Sequence, residues 1–147
     1  VGQPGNGWAQ VISELGYERS GPERFLSAFR VLVEYSRELS SDASDDQLSV
    51  LGRLVAHLIT LRRMSISVAG MLENGETPIT EAALIKDVGN AYERLVPEVV
   101  RLSRTRNPSA RFLETLNQCV LHAPSFTLRG GTREILKGVI ARGLGLR

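Results

Sequence analysis

Apolar positions recur at helical spacing along nearly the whole chain, in five runs separated by polar or Gly/Pro-rich breaks. The first run holds Trp8, Val11, Ile12 and Leu15, then Phe25, Leu26, Phe29, Leu32, Val33 and Leu39. It predicts one long helix from about Trp8, capped by Asn6 or Gly7, and kinked or locally unwound at Gly21-Pro22. The polar stretch SSDASDD follows. In it Ser44 and Gln47 have the spacing of a capping box, while Asp45 and Asp46 suit the positive end of a new helix. The second run extends from Leu48 through Leu51, Leu54, Val55, Leu58, Leu61, Met64 and Val68 to Met71 and Leu72. A helix over 45–73 is predicted, ended by Asn74-Gly75 with Gly75 in the left-handed cap conformation. Its apolar surface is wider than one stripe, which predicts neighbours on several sides or an oligomer interface.

The third run starts near Thr77-Pro78 and carries Ala82, Ala83, Leu84, Val88, Ala91, Tyr92 and Leu95. Pro97 should bend this helix before it fades at Arg104 to Arg106, charges that favour a helix C-terminus. Asn107-Pro108 opens a fourth helix with Phe112, Leu113, Leu116 and Val120 inward, stopped by Ala123-Pro124. The last helix starts at Thr132, whose hydroxyl can accept a bond from a first-turn amide. Ile135, Leu136, Val139, Ile140 and Leu144 give it a one-sided apolar stripe. No strand-like alternation and no repeat is present. Long helices with short connections predict an all-α fold, an antiparallel four-helix bundle with a short extra C-terminal helix.

At 147 residues the chain is one domain, and 42% hydrophobic with 23% charged residues is an ordinary globular balance. No apolar run approaches the ~20 residues that a membrane span needs. A single cysteine, Cys119, excludes an internal disulfide and suits a reducing cytoplasm. The net charge of +2 and scattered arginines make no nucleic-acid footprint. Opening on Val1 rather than Met suggests a piece of a longer protein. His57 lies among Val55, Leu58 and Ile59 and reads as a packed or interface histidine. His122 and Cys119 are too few ligands for zinc, and no acid is placed to orient Cys119 as a nucleophile. No metal is expected.

Chemistry concentrates at the two ends. From Ser125 to Arg147 the chain reads SFTLRGGTREILKGVIARGLGLR, a short apolar approach, a Gly130-Gly131 turn and a helix. Two glycines before a helix N-terminus leave backbone amides uncovered beside the positive end of the dipole. The whole string resembles the closing segment of the acyl-CoA dehydrogenase family, where a Gly-Thr-x-x-Ile turn opens the last helix beside the flavin and the thioester. The opening GQPGNGWAQVISELGYER resembles the start of that family's C-terminal helical domain, with its Gly-Trp and a Glu-Arg pair on the first long helix. Lys86 also stands where the family's third bundle helix commonly has a lysine. The resemblance covers nearly the whole chain, specific at the ends and generic in the middle. It implies the C-terminal bundle domain (1–147) of a flavoprotein, without that family's N-terminal helical and middle β domains.

That chemistry removes a proton from the carbon α to a thioester while a hydride leaves the β carbon for FAD, so a carboxylate base is needed in an apolar pocket. The family's usual base stands immediately before the Gly-Thr, and that position here is Gly130. Some members instead carry the glutamate on the first bundle helix directly before an arginine, which implies Glu18 as base with Arg19 beside it. A solvated ion pair on a helix face is the plain alternative. Gly130, Gly131, Thr132 and Glu134 are the implied FAD contacts. The cluster Arg101, Arg104, Arg106 and Arg111 reads as a solvated helix end, with coenzyme A phosphates as its alternative ligand.

Two departures touch cofactor binding. The family's Arg-x-x-Phe-Gly segment, which reaches a neighbouring subunit's flavin diphosphate, is replaced by Leu39, Ser40, Ser41 and Asp42. Its Gln-x-x-Gly-Gly-x-Gly-Tyr segment, which serves the adenine end, is absent around Gln118. Two functions are therefore expected in parallel. One is an acyl-CoA dehydrogenase domain of fatty acid metabolism, with an acyl-CoA substrate and an electron-transfer flavoprotein as acceptor. The other is a non-catalytic bundle that builds a dimer or tetramer interface. In both, the isolated chain should neither retain FAD nor turn over substrate.

Overall fold

The computed structural model describes residues 2–39 and 43–146. Its helices run in the order α1 (Gly7–Ser20), α2 (Phe29–Glu38), α3 (Asp45–Glu73), α4 (Ile79–Leu102), α5 (Ala110–Phe126) and α6 (Arg133–Gly143), with a 3-10 turn, Pro22–Arg24, between α1 and α2. No strand occurs among the described residues, so the class is all-α.

The bundle is organised around α4. Ala82, Ala83, Ile85, Tyr92, Val96, Pro97 and Val100 are all buried, and this helix touches each of the other five. Against it lie Val31, Leu32 and Tyr35 of α2, Leu54, Leu61 and Val68 of α3, and Phe112, Leu116, Cys119 and Phe126 of α5. Small residues at Ala82, Ala83 and Gly89 let neighbours approach closely, while Tyr92 fills the middle.

Of the kink or local unwinding expected at Gly21-Pro22, the structure has the unwinding, extended far enough to split the run into two helices. Gly21 is extended (φ −64°, ψ 151°), Pro22 starts the 3-10 turn, and helix resumes only at Phe29. Pro22 lacks the N–H that would continue α1. The Arg24 guanidinium then bonds the carbonyl of Glu18, satisfying an acceptor that the break would orphan.

At α3 the expected ends hold. Ser44 Oγ accepts from the Gln47 amide, Gln47 Oε1 accepts from the Ser44 amide, and Gly75 has φ +77°. The expected many-sided packing does not hold. Only Leu54, Leu61 and Val68, spaced by seven, are buried, whereas Leu48, Val55, Ile59 and Ile66 are exposed. The helix lies on the outside of the bundle, chiefly against α4.

Three further expectations are corrected. Helix α5 continues through Pro124 to Phe126, because burial of Phe126 holds a last turn that the proline weakens. Its inward face carries Phe112, Thr115, Leu116 and Cys119, leaving Leu113 and Val120 exposed. In α6 only Leu136 is buried, and Ile135 and Leu144 face outward. Among the described residues no helix is long and apolar enough to cross a membrane.

Candidate functional site

The last turn of α1 and the diglycine turn before α6 meet over α4. Arg19, only 8% exposed, donates from Nε to the Gly130 carbonyl at 2.8 Å. Burial lowers the Arg19 pKa, against the pull of the Glu18 charge. A Cβ built at Gly130 would lie 3.4 Å from Glu18 Oε1, 3.6 Å from Arg19 Cγ and 3.7 Å from Lys86 Cε. One built at Gly131 would lie 3.5 Å from Arg19 Nη2. Both glycines have positive φ, +70° and +112°. Glu18, Arg19, Gly130 and Gly131 thus share one cluster, although more than a hundred residues separate its two halves.

The partner of Glu18 is Arg24, not the adjacent Arg19. Arg24 Nη2 meets Glu18 Oε1 at 2.5 Å, and Arg24 Nε meets the Glu18 backbone carbonyl at 2.8 Å. The Glu18 side chain is 37% exposed, so it is neither free in solvent nor sealed away. Thr132 and Glu134 form a separate pair in the first turn of α6. Glu134's own backbone amide, then the Thr132 hydroxyl, hold its carboxyl below the usual range. Thr132 does occupy the cap position, yet its hydroxyl caps no amide, contrary to expectation. It is turned to the Glu134 carboxylate instead.

Beneath the cluster α4 presents a stripe of fully buried polar side chains, Lys86, Asn90 and Glu93. Lys86 Nζ bonds Asn90 Oδ1 and, at 3.2 Å, the Phe126 carbonyl. Burial pushes its pKa down to about 8. Glu93 accepts from the Ser27 amide at 2.8 Å and from Arg129 Nη2 at 3.1 Å. Burial raises its pKa despite Ser27, Arg129 and Lys86. Arg129 also bonds Ser27 Oγ and lies over the Phe126 ring. The approach to the diglycine turn is therefore pinned at Phe126 and at Arg129.

Sequence reasoning reached Lys86 only through resemblance and missed Arg24, Asn90, Glu93 and Arg129. A signal existed on α4, since positions 86, 90 and 93 follow i, i+4, i+7 and share a face. Arg24 had none, because six residues is no helical repeat.

Other candidates stand apart. His57 is exposed, its ring edge-on to that of Tyr92 with 5.9 Å between centroids. Cys119 is buried and its thiol is pushed up to about 11 by desolvation and then by Glu93, the opposite of an activated nucleophile. Arg101 pairs with Glu98 and Arg111 with Glu34, which leaves those two committed within the bundle. Among the described residues no group of three His, Cys, Asp or Glu could hold a metal.

The cluster offers a charged donor to a bound acceptor group. The Glu134 carboxylate takes its own amide in the first turn of α6, whereas Arg19 has no carboxylate in ion-pair range among the described residues. Such a donor suits an electron-rich ring edge. Ser40, Ser41 and Asp42 lie outside the described residues, and the segment around Gln118 is plain helix.

No protein-family model matches the chain, and no curated protein matches it. Fold and geometry define the class: an all-α bundle domain with a carboxylate–arginine cluster at a diglycine turn.

Proposed function

We propose that this chain is the C-terminal helical domain of an FAD-dependent acyl-CoA dehydrogenase, with Glu18 as the proton-abstracting base. The observation that carries this reading is the position of the Glu18 carboxylate, 3.4 Å from where a side chain at Gly130 would begin. A base relocated from the turn to the first helix has to reach the same space, and Glu18 does. Arg19 holds the Gly130 carbonyl and so fixes the turn whose amides face the thioester. Glu18 takes the α proton, and the bound flavin supplies the hydride acceptor. The apolar pocket expected around such a base is not formed by this chain alone, because Arg19, Arg24 and Lys86 surround the carboxylate. Exclusion of water at that side falls to the domains that would cover it. An electron-transfer flavoprotein as acceptor, an oligomer and a cytoplasmic setting belong to the same proposal.

A second reading, a non-catalytic bundle that builds an oligomer interface, is favoured by one observation. Leu48, Val55, Ile59 and Ile66 form an exposed apolar ridge along α3. The parent protein reconstituted with FAD separates the two. Bleaching of the flavin by an acyl-CoA, abolished in Glu18→Gln with acyl-CoA binding kept, supports the enzyme. Absence of flavin uptake favours the interface.

A further inference from the structure

Arg24 holds residue 18 at two points from one guanidinium plane. Its Nε donates to the Glu18 backbone carbonyl at 2.8 Å and its Nη2 to the carboxylate Oε1 at 2.5 Å. Arg24 is 8% exposed, so the guanidinium end of this fork is shielded from water while the Glu18 carboxylate stays half-buried. A planar fork anchored to backbone and side chain together fixes the direction of the carboxylate relative to the end of α1. Only Oε1 is engaged, and among the described residues Oε2 accepts no hydrogen bond.

The seat of the fork lies on α4. A Cβ at Gly89 would come 2.7 Å from the Arg24 carbonyl oxygen and 3.4 Å from Phe25 Cβ. The 3-10 turn therefore presses its backbone directly onto the helix, in the space that a side chain would fill. Gly89 is three positions from Lys86 and four from Glu93, so the same face of α4 seats Arg24 and carries members of the buried polar stripe.

We propose that Arg24 is the positioning residue of the candidate base: it binds Oε1 of Glu18, the oxygen nearest the Gly130 turn, and so fixes the carboxylate there as the proton acceptor. The catalytic meaning rests on the reading of Glu18 as base, whereas the positioning itself does not. The break between α1 and α2 then has a purpose. It brings Arg24 back onto the helix end that it follows, which a continuous helix could not do at a separation of six residues.

Two measurements test this. In the FAD-loaded parent, Arg24→Gln should lower kcat at least about tenfold with KM within about twofold, as loss of alignment without loss of binding requires. Arg24→Lys should not rescue it, because one ammonium cannot hold carbonyl and carboxylate together. In the chain described above, side-chain couplings of Glu18 should report one rotamer, replaced in Arg24→Gln by averaging while the helical circular dichroism is retained. A single unchanged rotamer in that variant overturns the proposal, as does full rescue by lysine. If Arg24→Gln does not fold, Glu18→Leu in the wild-type background, which leaves Nη2 no side-chain acceptor, decides. It should release the Arg24 Nη2 protons to fast exchange while Nε–H stays protected by the backbone carbonyl, and unchanged Nη2 protection overturns the proposal. Should Glu18→Gln keep full turnover while Arg24→Gln frees the rotamer, the base reading fails and the positioning stands.

Discussion

Arg19 and Gly130 are joined by a 2.8 Å hydrogen bond from guanidinium Nε to a turn carbonyl, across 111 positions of sequence. The donor is charged and buried, so the bond belongs to the stronger class. Arg19→Met keeps the packing of the stem and removes the donor. It should destabilise the fold by about 1.5–3 kcal/mol in urea unfolding. Amides in the first turn of α6 should exchange faster than those of α3. Equal protection at α6 in variant and wild type would show that the turn stands without Arg19.

The two turn glycines are not equivalent. Gly130 at φ +70° lies in the left-handed region that an L residue enters at about 1–2 kcal/mol. Gly131 at φ +112° lies beyond it, where an L residue is more strained, while a Cβ at either position would meet only ordinary contacts. Gly131→Ala should therefore lower the denaturation midpoint more than Gly130→Ala. The reverse order would contradict these backbone angles.

Glycines inside helices divide in the same way. Gly89→Ala gains up to ~1 kcal/mol of helix propensity but drives Cβ to 2.7 Å from the Arg24 backbone oxygen. A backbone atom cannot swing aside, so a net loss of about 1–3 kcal/mol is expected. Gly52 and Gly70 on α3 meet nothing within 4 Å. Alanine there should stabilise by roughly 0.5–1 kcal/mol. Thermal melts of the three single variants check both signs.

Lys86 predicts an alkaline trend. Burial lowers its pKa from 10.5 to about 8, so between those values the unfolded chain binds more protons than the folded one. Stability therefore rises with pH across that window and is lost again as pH falls through about 8. Relative to Lys86→Met, which has no proton to exchange, the wild type should gain on the order of 2–3 kcal/mol between pH 8 and pH 10.5. A pH-independent difference between the two proteins would mean that the ammonium is hydrated in the folded state.

Helix boundaries were the most legible part of the sequence. Asp45–Glu73, its capping box and its Gly75 stop follow from side chains that bond their own backbone within three or four positions. Which helix occupies the centre was not legible. Helix α3 looked the more apolar throughout, yet α4 is central, because small residues beside Tyr92 let five neighbours close in. The site divides along the same line. Glu18 and Arg19 stood out only through the family resemblance, the diglycine turn also through its own local pattern, and a polar stripe on α4 was present in the spacing. Arg24, Glu93 and Arg129 were hidden because their partners are distant or lie across a break.

Local rules settled what each segment is: where helices begin, where glycine must end or turn the chain, and that no strand pattern exists. They act within a few residues and are written in composition and period. Which segments meet was decided by tertiary packing, since a buried charge takes whatever partner the fold brings near. The first helix shows both sides of this. Pro22 announced an interruption, but only the seat at Gly89 turned that interruption into the fork that holds Glu18 beside Gly130.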